Sequence, residues 1–197
     1  MTIMKREISS LREIQTQIPS PKIRRKYLIE AMEALSSKQI NCYSCTGLCC
    51  TFESNSMQVT PQEAIDVLLL LDSQQRINQE LVQMLKDNVR KYRLDKEIST
   101  GKNSTFRRYY TCPFYQEGEK GCTLTREDKP YGCLGYNPKK EKAKIQHDCG
   151  SDLALLKIQD DANADDELAL RLQEELKLSW TKLPLPVALL DLIENEQ

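Results

Sequence analysis

The 197-residue sequence has few of the features that usually announce a chemistry: seven glycines, a single histidine (His147) and a net charge of only −1. No glycine-rich loop follows a strand-like segment, so nothing marks a Rossmann site for S-adenosylmethionine. No apolar run approaches the roughly 18 residues that span a membrane. The near balance of charge argues against the strong basicity of a dedicated nucleic-acid binder. The opening stretch, MTIMKREISSLREIQTQI, is charged and lacks an uninterrupted apolar segment, which argues against a secretory signal, and a cytoplasmic location is expected. No nucleophile–base pair or general acid/base pair stands out, so no substrate is indicated.

What the chain has is sulfur. NCYSCTGLCC, residues 41–50, places Cys42, Cys45, Cys49 and Cys50 within nine positions, and Cys112, Cys122, Cys133 and Cys149 follow. In a reducing compartment such a set binds metal or does redox chemistry more often than it forms disulfides. A Cys-x2-Cys pair lets two thiolates from one tight turn converge on one ion at about 2.3 Å, which makes Cys42 and Cys45 the clearest bidentate unit. Adjacent side chains usually diverge, so Cys49 and Cys50 are expected to serve different metals or different corners of a cluster. Eight cysteines suit two sites of four thiolates, and exceed by four what one [4Fe-4S] cluster requires. The cofactor expected is therefore zinc or iron, the latter including a 4Fe-4S cluster. His147, two residues before Cys149, is a less favoured ligand or a donor to a thiolate.

Charge divides the chain into three parts. Residues 1–41 carry 8 basic and 4 acidic side chains, residues 42–150 carry 16 and 14, and residues 151–197 carry 4 and 11. The outer parts read as helical. Ser20-Pro21 resembles a cap with proline at the first helical position, followed by Tyr27, Ala31 and Leu35 at i+4 spacing with Leu28 and Met32 beside them. Asp165-Asp166-Glu167 favours a helix start, and Leu168, Leu172, Leu176 and Trp180 extend it to the LPLP at 183–186. A last short helix is expected over Val187–Ile193. Both flanks are too short to bury a core alone, and are expected to pack together or onto the cysteine-bearing part.

In the middle part, Thr60-Pro61-Gln62-Glu63 is a capping box before the mostly apolar run 65–71. Ile77, Leu81, Leu85 and Val89 mark a second helix. TFRRYYTCPFY and CTLT, joined by QEGEKG, read as a β-hairpin with Cys112 and Cys122 at its ends. The fold class expected is mainly α with a small irregular or hairpin cysteine-rich metal-binding core. Residues 101–144 hold 10 basic against 5 acidic side chains, including Arg107, Arg108, Arg126, Lys129, Lys139 and Lys140. That excess suits the negative charge of clustered thiolates, and also a phosphate-binding face beside Tyr109, Tyr110, Tyr131 and Tyr136.

CYSCTGLCC, then VTPQEA, then CPFYQEGEKGCTLTREDKPYGCLGYNP and a last cysteine in HDCG resemble the bacterial YkgJ-type cysteine-cluster family, described as a zinc- or iron-chelating domain. The resemblance spans residues 42–150. It departs at Lys129, where the family usually has Arg before the proline corresponding to Pro130, and at Leu134-Gly135-Tyr136. The thiol set is unaffected, and the resemblance implies that all eight cysteines are metal ligands. The family is distantly similar to the cysteine-rich part of flagellin lysine N-methylases, which implies methyl transfer only by association.

The leading expectation is thus a zinc- or iron-binding cysteine-cluster protein with a metal ion as its partner and room for a protein partner. The alternatives are a methylase-like or redox enzyme built on an iron–sulfur cluster, and a zinc-stabilised nucleic-acid or protein interaction module. Nucleic acid is not the expected partner.

Overall fold

The computed structural model describes residues 5–40, 47–96, 108–116, 122–139, 149–162 and 166–194. Among them the chain is mainly helical. In order come α1 (Lys5–Thr16), α2 (Pro21–Arg24), α3 (Lys26–Ser36), a 3-10 turn (Leu48–Cys50), β1 (Gln58–Val59), α4 (Pro61–Ser73) and α5 (Gln79–Tyr92). They are followed by α6 (Tyr131–Leu134), β2 (Tyr136–Pro138), β3 (Cys149–Ser151), α7 (Leu153–Ala162), α8 (Asp166–Glu175), β4 (Leu183–Pro184) and α9 (Leu185–Glu194). None of these helices is long and apolar enough to cross a membrane.

Helix α4 is the hub. Its start follows from the capping box: the Thr60 hydroxyl accepts from the Glu63 amide at 3.3 Å, while Glu63 Oε2 accepts from the Thr60 amide at 2.9 Å. Pro61 occupies a first-turn position where no amide is needed. Beyond the cap, Ala64, Ile65, Val67, Leu68, Leu69 and Leu71 are all buried, so apolar side chains emerge on more than one face. Such a helix needs cover on several sides. Helices α1, α8 and α9 and strand β1 supply it. Helix α5 begins at Asn78, whose side chain accepts from the Leu81 amide at 2.9 Å, and packs Leu81 and Leu85 toward α9. A second, smaller core joins Leu28, Ile29 and Met32 of α3 to Leu134 of α6, with Leu155 and Leu156 of α7 against them.

Two short antiparallel pairs tie distant segments together. Gln58 and Val59 of β1 face Pro184 and Leu183 of β4, and Tyr136, Asn137 and Pro138 of β2 face Ser151, Gly150 and Cys149 of β3.

Four expectations need correction. The N-terminal stripe is turned: Leu28, Ile29 and Met32 are buried, whereas Tyr27 is 48% exposed. Helix α8 stops at Glu175, because Lys177 takes a left-handed conformation (φ 49°) and Leu178 N closes back on Gln173 O at 2.8 Å. Trp180 therefore reaches the core from a loop, its indole N–H donating to Asp191 at 2.7 Å. The last helix begins at Leu185, two residues before Val187, with Pro186 in its first turn. Finally, the expected hairpin is reduced to one antiparallel bridge, Tyr115 to Cys122; the described residues on either side are irregular. Of the aromatic residues that suggested a strand, Tyr110 and Phe114 instead fill the interior singly, almost fully buried, and Tyr109 is 50% exposed.

Candidate metal centre

Cys42, Cys45, His147 and Asp148 lie outside the described residues. The other six cysteines are free thiols, and the backbone explains where each stands.

The turn carrying Cys49 and Cys50 starts at Gly47, whose φ of +72° is a left-handed conformation. A side chain there would also strike the ring of Tyr115, since a Cβ would lie 2.5 Å from it. Cys50 N then closes on Gly47 O at 2.8 Å. The tight 3-10 path overturns the expectation that the neighbouring thiols diverge: Cys49 Sγ and Cys50 Sγ are 3.9 Å apart. Two thiolates on one tetrahedral ion at about 2.3 Å are separated by about 3.8 Å, so the pair has the spacing of a chelate.

Cys112 is laid directly alongside. Its amide donates to Cys50 O at 2.7 Å. Buried Asn55 holds the same stretch, donating to Tyr110 O at 3.0 Å and accepting from Met57 N at 3.1 Å, while the Tyr110 hydroxyl donates to Met57 O at 2.8 Å. Cys122 returns to this layer through its bridge to Tyr115 and the 2.9 Å bond from Thr123 N to Phe114 O. Cys133 sits on α6, its amide bonded to Pro130 O at 3.0 Å and its sulfur 2.9 Å from that of Met57.

Cys49, Cys50, Cys112, Cys122 and Cys133 thus line one cleft of about 780 Å³, with Lys129 on its wall. Cys149, on β3, is not among its lining residues. Among the described residues, no three potential ligands are already drawn to a single point.

The thiols feel one another. Burial, and then the nearness of Cys122, push Cys112 up to about 12, with Lys129 opposing. Burial, followed by Cys112 and Cys122, raises Cys133 well above the ordinary thiol value. Cys49 is raised as well, first by its hydrogen bond to Cys50 and then by burial. These thiols stay protonated near neutrality unless a cation replaces the proton. A set of soft, neutral sulfurs lining one cleft with Lys129, Lys157 and Lys182 has the donor chemistry of a zinc or iron–sulfur site.

A buried polar network that sequence reading missed reaches the cleft wall through Glu63, Lys129 and Tyr131. Arg24 and Arg25, at the α2–α3 junction, both donate to Asp66 of α4, at 2.6 and 2.8 Å. Arg24 also donates to Pro19 O at 2.8 Å. Arg25 Nε donates to Lys129 O at 2.9 Å, and its guanidinium lies 5.1 Å from the centre of the Tyr131 ring. Glu63 Oε1 accepts from Tyr131 N at 2.7 Å. A signal existed in the sequence: Asp66 is the one charge inside an otherwise apolar run, and such a residue buries only with a partner.

No protein-family model, curated protein or solved structure matches this chain.

Proposed function

We propose that this protein binds a thiophilic metal, zinc or iron, the latter including an iron–sulfur cluster, through its cysteines. One observation carries the reading. Five thiols from four separated stretches of chain line a single cleft. The 3.9 Å spacing of Cys49 and Cys50 adds a chelating geometry, and Lys129 adds a compensating charge for thiolates. Cys42 and Cys45 belong to the same proposal through their Cys-x2-Cys spacing and their place in NCYSCTGLCC, and Cys149 through the YkgJ-type pattern. The resemblance to that family supports a metal-holding role.

The test is elemental analysis with an absorption spectrum on protein purified without oxygen. Stoichiometric zinc in a colourless protein selects a zinc site, and a red-brown chromophore with iron and sulfide selects a cluster. Folded protein without metal, in which all eight cysteines titrate as free thiols, overturns the proposal.

A further inference from the structure

We propose that Arg25 and Glu63 are positioning residues for Cys133, fixing the direction from which its sulfur enters the cleft; this rests on the metal-binding reading above. The stretch from Lys129 to Tyr131 is gripped on both sides of Pro130. The carbonyl before the proline accepts from Arg25 Nε at 2.9 Å, and the amide after it donates to Glu63 Oε1 at 2.7 Å. The Pro130 carbonyl held between them accepts from the amides of Cys133 and Leu134, at 3.0 and 3.1 Å. Three links therefore run from a charged side chain to the backbone of the cysteine: Arg25 or Glu63 to the 129–131 stretch, that stretch to the Pro130 carbonyl, and the carbonyl to Cys133.

The network is a costly way to fill this space. Arg25 is fully buried and Glu63 and Asp66 nearly so, and apolar residues of similar volume are often as stabilising as a buried ion pair. What an apolar replacement would lack is direction. Arg25 uses one guanidinium to fix Asp66 at 2.8 Å and the Lys129 carbonyl at 2.9 Å while lying over Tyr131. The grip uses the carbonyl of Lys129 and so does not depend on which side chain stands at 129. Groups that orient metal ligands from behind typically change affinity about 10- to 100-fold when altered.

The test uses the full chain with Co2+ as the probe ion. Dissociation constants come from chelator competition, and the sulfur-to-cobalt charge-transfer band counts bound thiolates. Arg25→Lys is compared in the wild-type, Cys133→Ser and Cys122→Ser backgrounds. In the wild-type background it should weaken Co2+ binding about 10- to 100-fold and lower the band. On Cys133→Ser it should do nothing further, whereas on Cys122→Ser its full effect should add. Equal losses in all three backgrounds overturn the inference and leave Arg25 a general stabiliser. Glu63→Gln, read in the same three backgrounds, decides the matter if Arg25→Lys does not fold, the same pattern supporting the inference and equal losses overturning it. Wild-type protein that takes up no Co2+, Zn2+ or iron overturns the metal reading itself, and this inference with it.

Discussion

The amide of Cys112 donates a 2.7 Å hydrogen bond to the carbonyl of Cys50, so two cysteines far apart in the sequence share one rung of backbone. The spacing of their backbones is therefore set by main-chain geometry before any ion arrives. A metal bound there adds its binding free energy to folding, on the order of 10 kcal/mol for a structural site. Cys112→Ser should therefore lower the melting temperature of metal-loaded protein much more than that of chelator-treated protein. Equal drops in the two states would show that Cys112 is a packing residue.

Alkali should distinguish the metal-free state. Burial and Cys122 raise the Cys112 thiol from 9.0 to about 12, so the folded chain keeps a proton that the unfolded chain releases. The stability this contributes is complete below pH 9.0 and is lost as pH rises toward about 12. Urea titrations of metal-free protein should show falling stability across that window, with a shallower fall in Cys112→Ala. Metal affinity should move the opposite way, rising with pH, because binding expels thiol protons. A flat stability profile across the window contradicts the burial of this thiol.

The cap of α4 has two jobs of different weight. Thr60→Ala removes the hydroxyl that accepts from Glu63 N and should cost about 1 kcal/mol. Glu63→Ala strips acceptors from the amides of both Thr60 and Tyr131, at about 1–3 kcal/mol for each donor left without a partner. Denaturant midpoints should rank Glu63→Ala well below Thr60→Ala. Similar values would mean that water replaces the carboxylate at Tyr131.

The capping box was legible because its signal lies within four consecutive residues, Thr60 to Glu63. The period of α3 was legible too, but not its buried face. Tyr27-Ala31-Leu35 and Leu28-Met32 fit the same helix, and only the neighbours α6 and α7 select the second. The hairpin failed because Tyr110 and Phe114 reach the core one at a time from irregular chain, while Tyr109 stays exposed. The clustering of Cys112, Cys122 and Cys133 was suggested by their number. The convergence of Cys49 with Cys50 was not, since it depends on the 3-10 turn after Gly47. Arg25 and Asp66 were invisible as a pair because nothing local to either names the other.

The C-terminal helix should be indispensable to the fold. Leu185, Ala188 and Leu189 of α9 are fully buried, and the helix covers α4 and α5. Leu189→Ala should cost about 2–5 kcal/mol, measurable as a shift of the urea midpoint, and deleting residues 185–194 should reduce solubility. A truncated chain that melts at the wild-type temperature would make α9 an accessory.

The enclosure of α4 has a consequence for how a bound metal would leave. Nine of its thirteen residues are buried, so its amide protons should be among the slowest in the molecule to exchange with solvent, doing so chiefly when the whole chain opens. Glu63, the carboxylate that holds the Tyr131 amide, stands on this slow-exchanging element. Cys49 and Cys50 stand instead on a three-residue 3-10 turn, Leu48–Cys50. Loss of the ion should therefore begin as a local opening at Cys49 and Cys50, ahead of the release of Cys133.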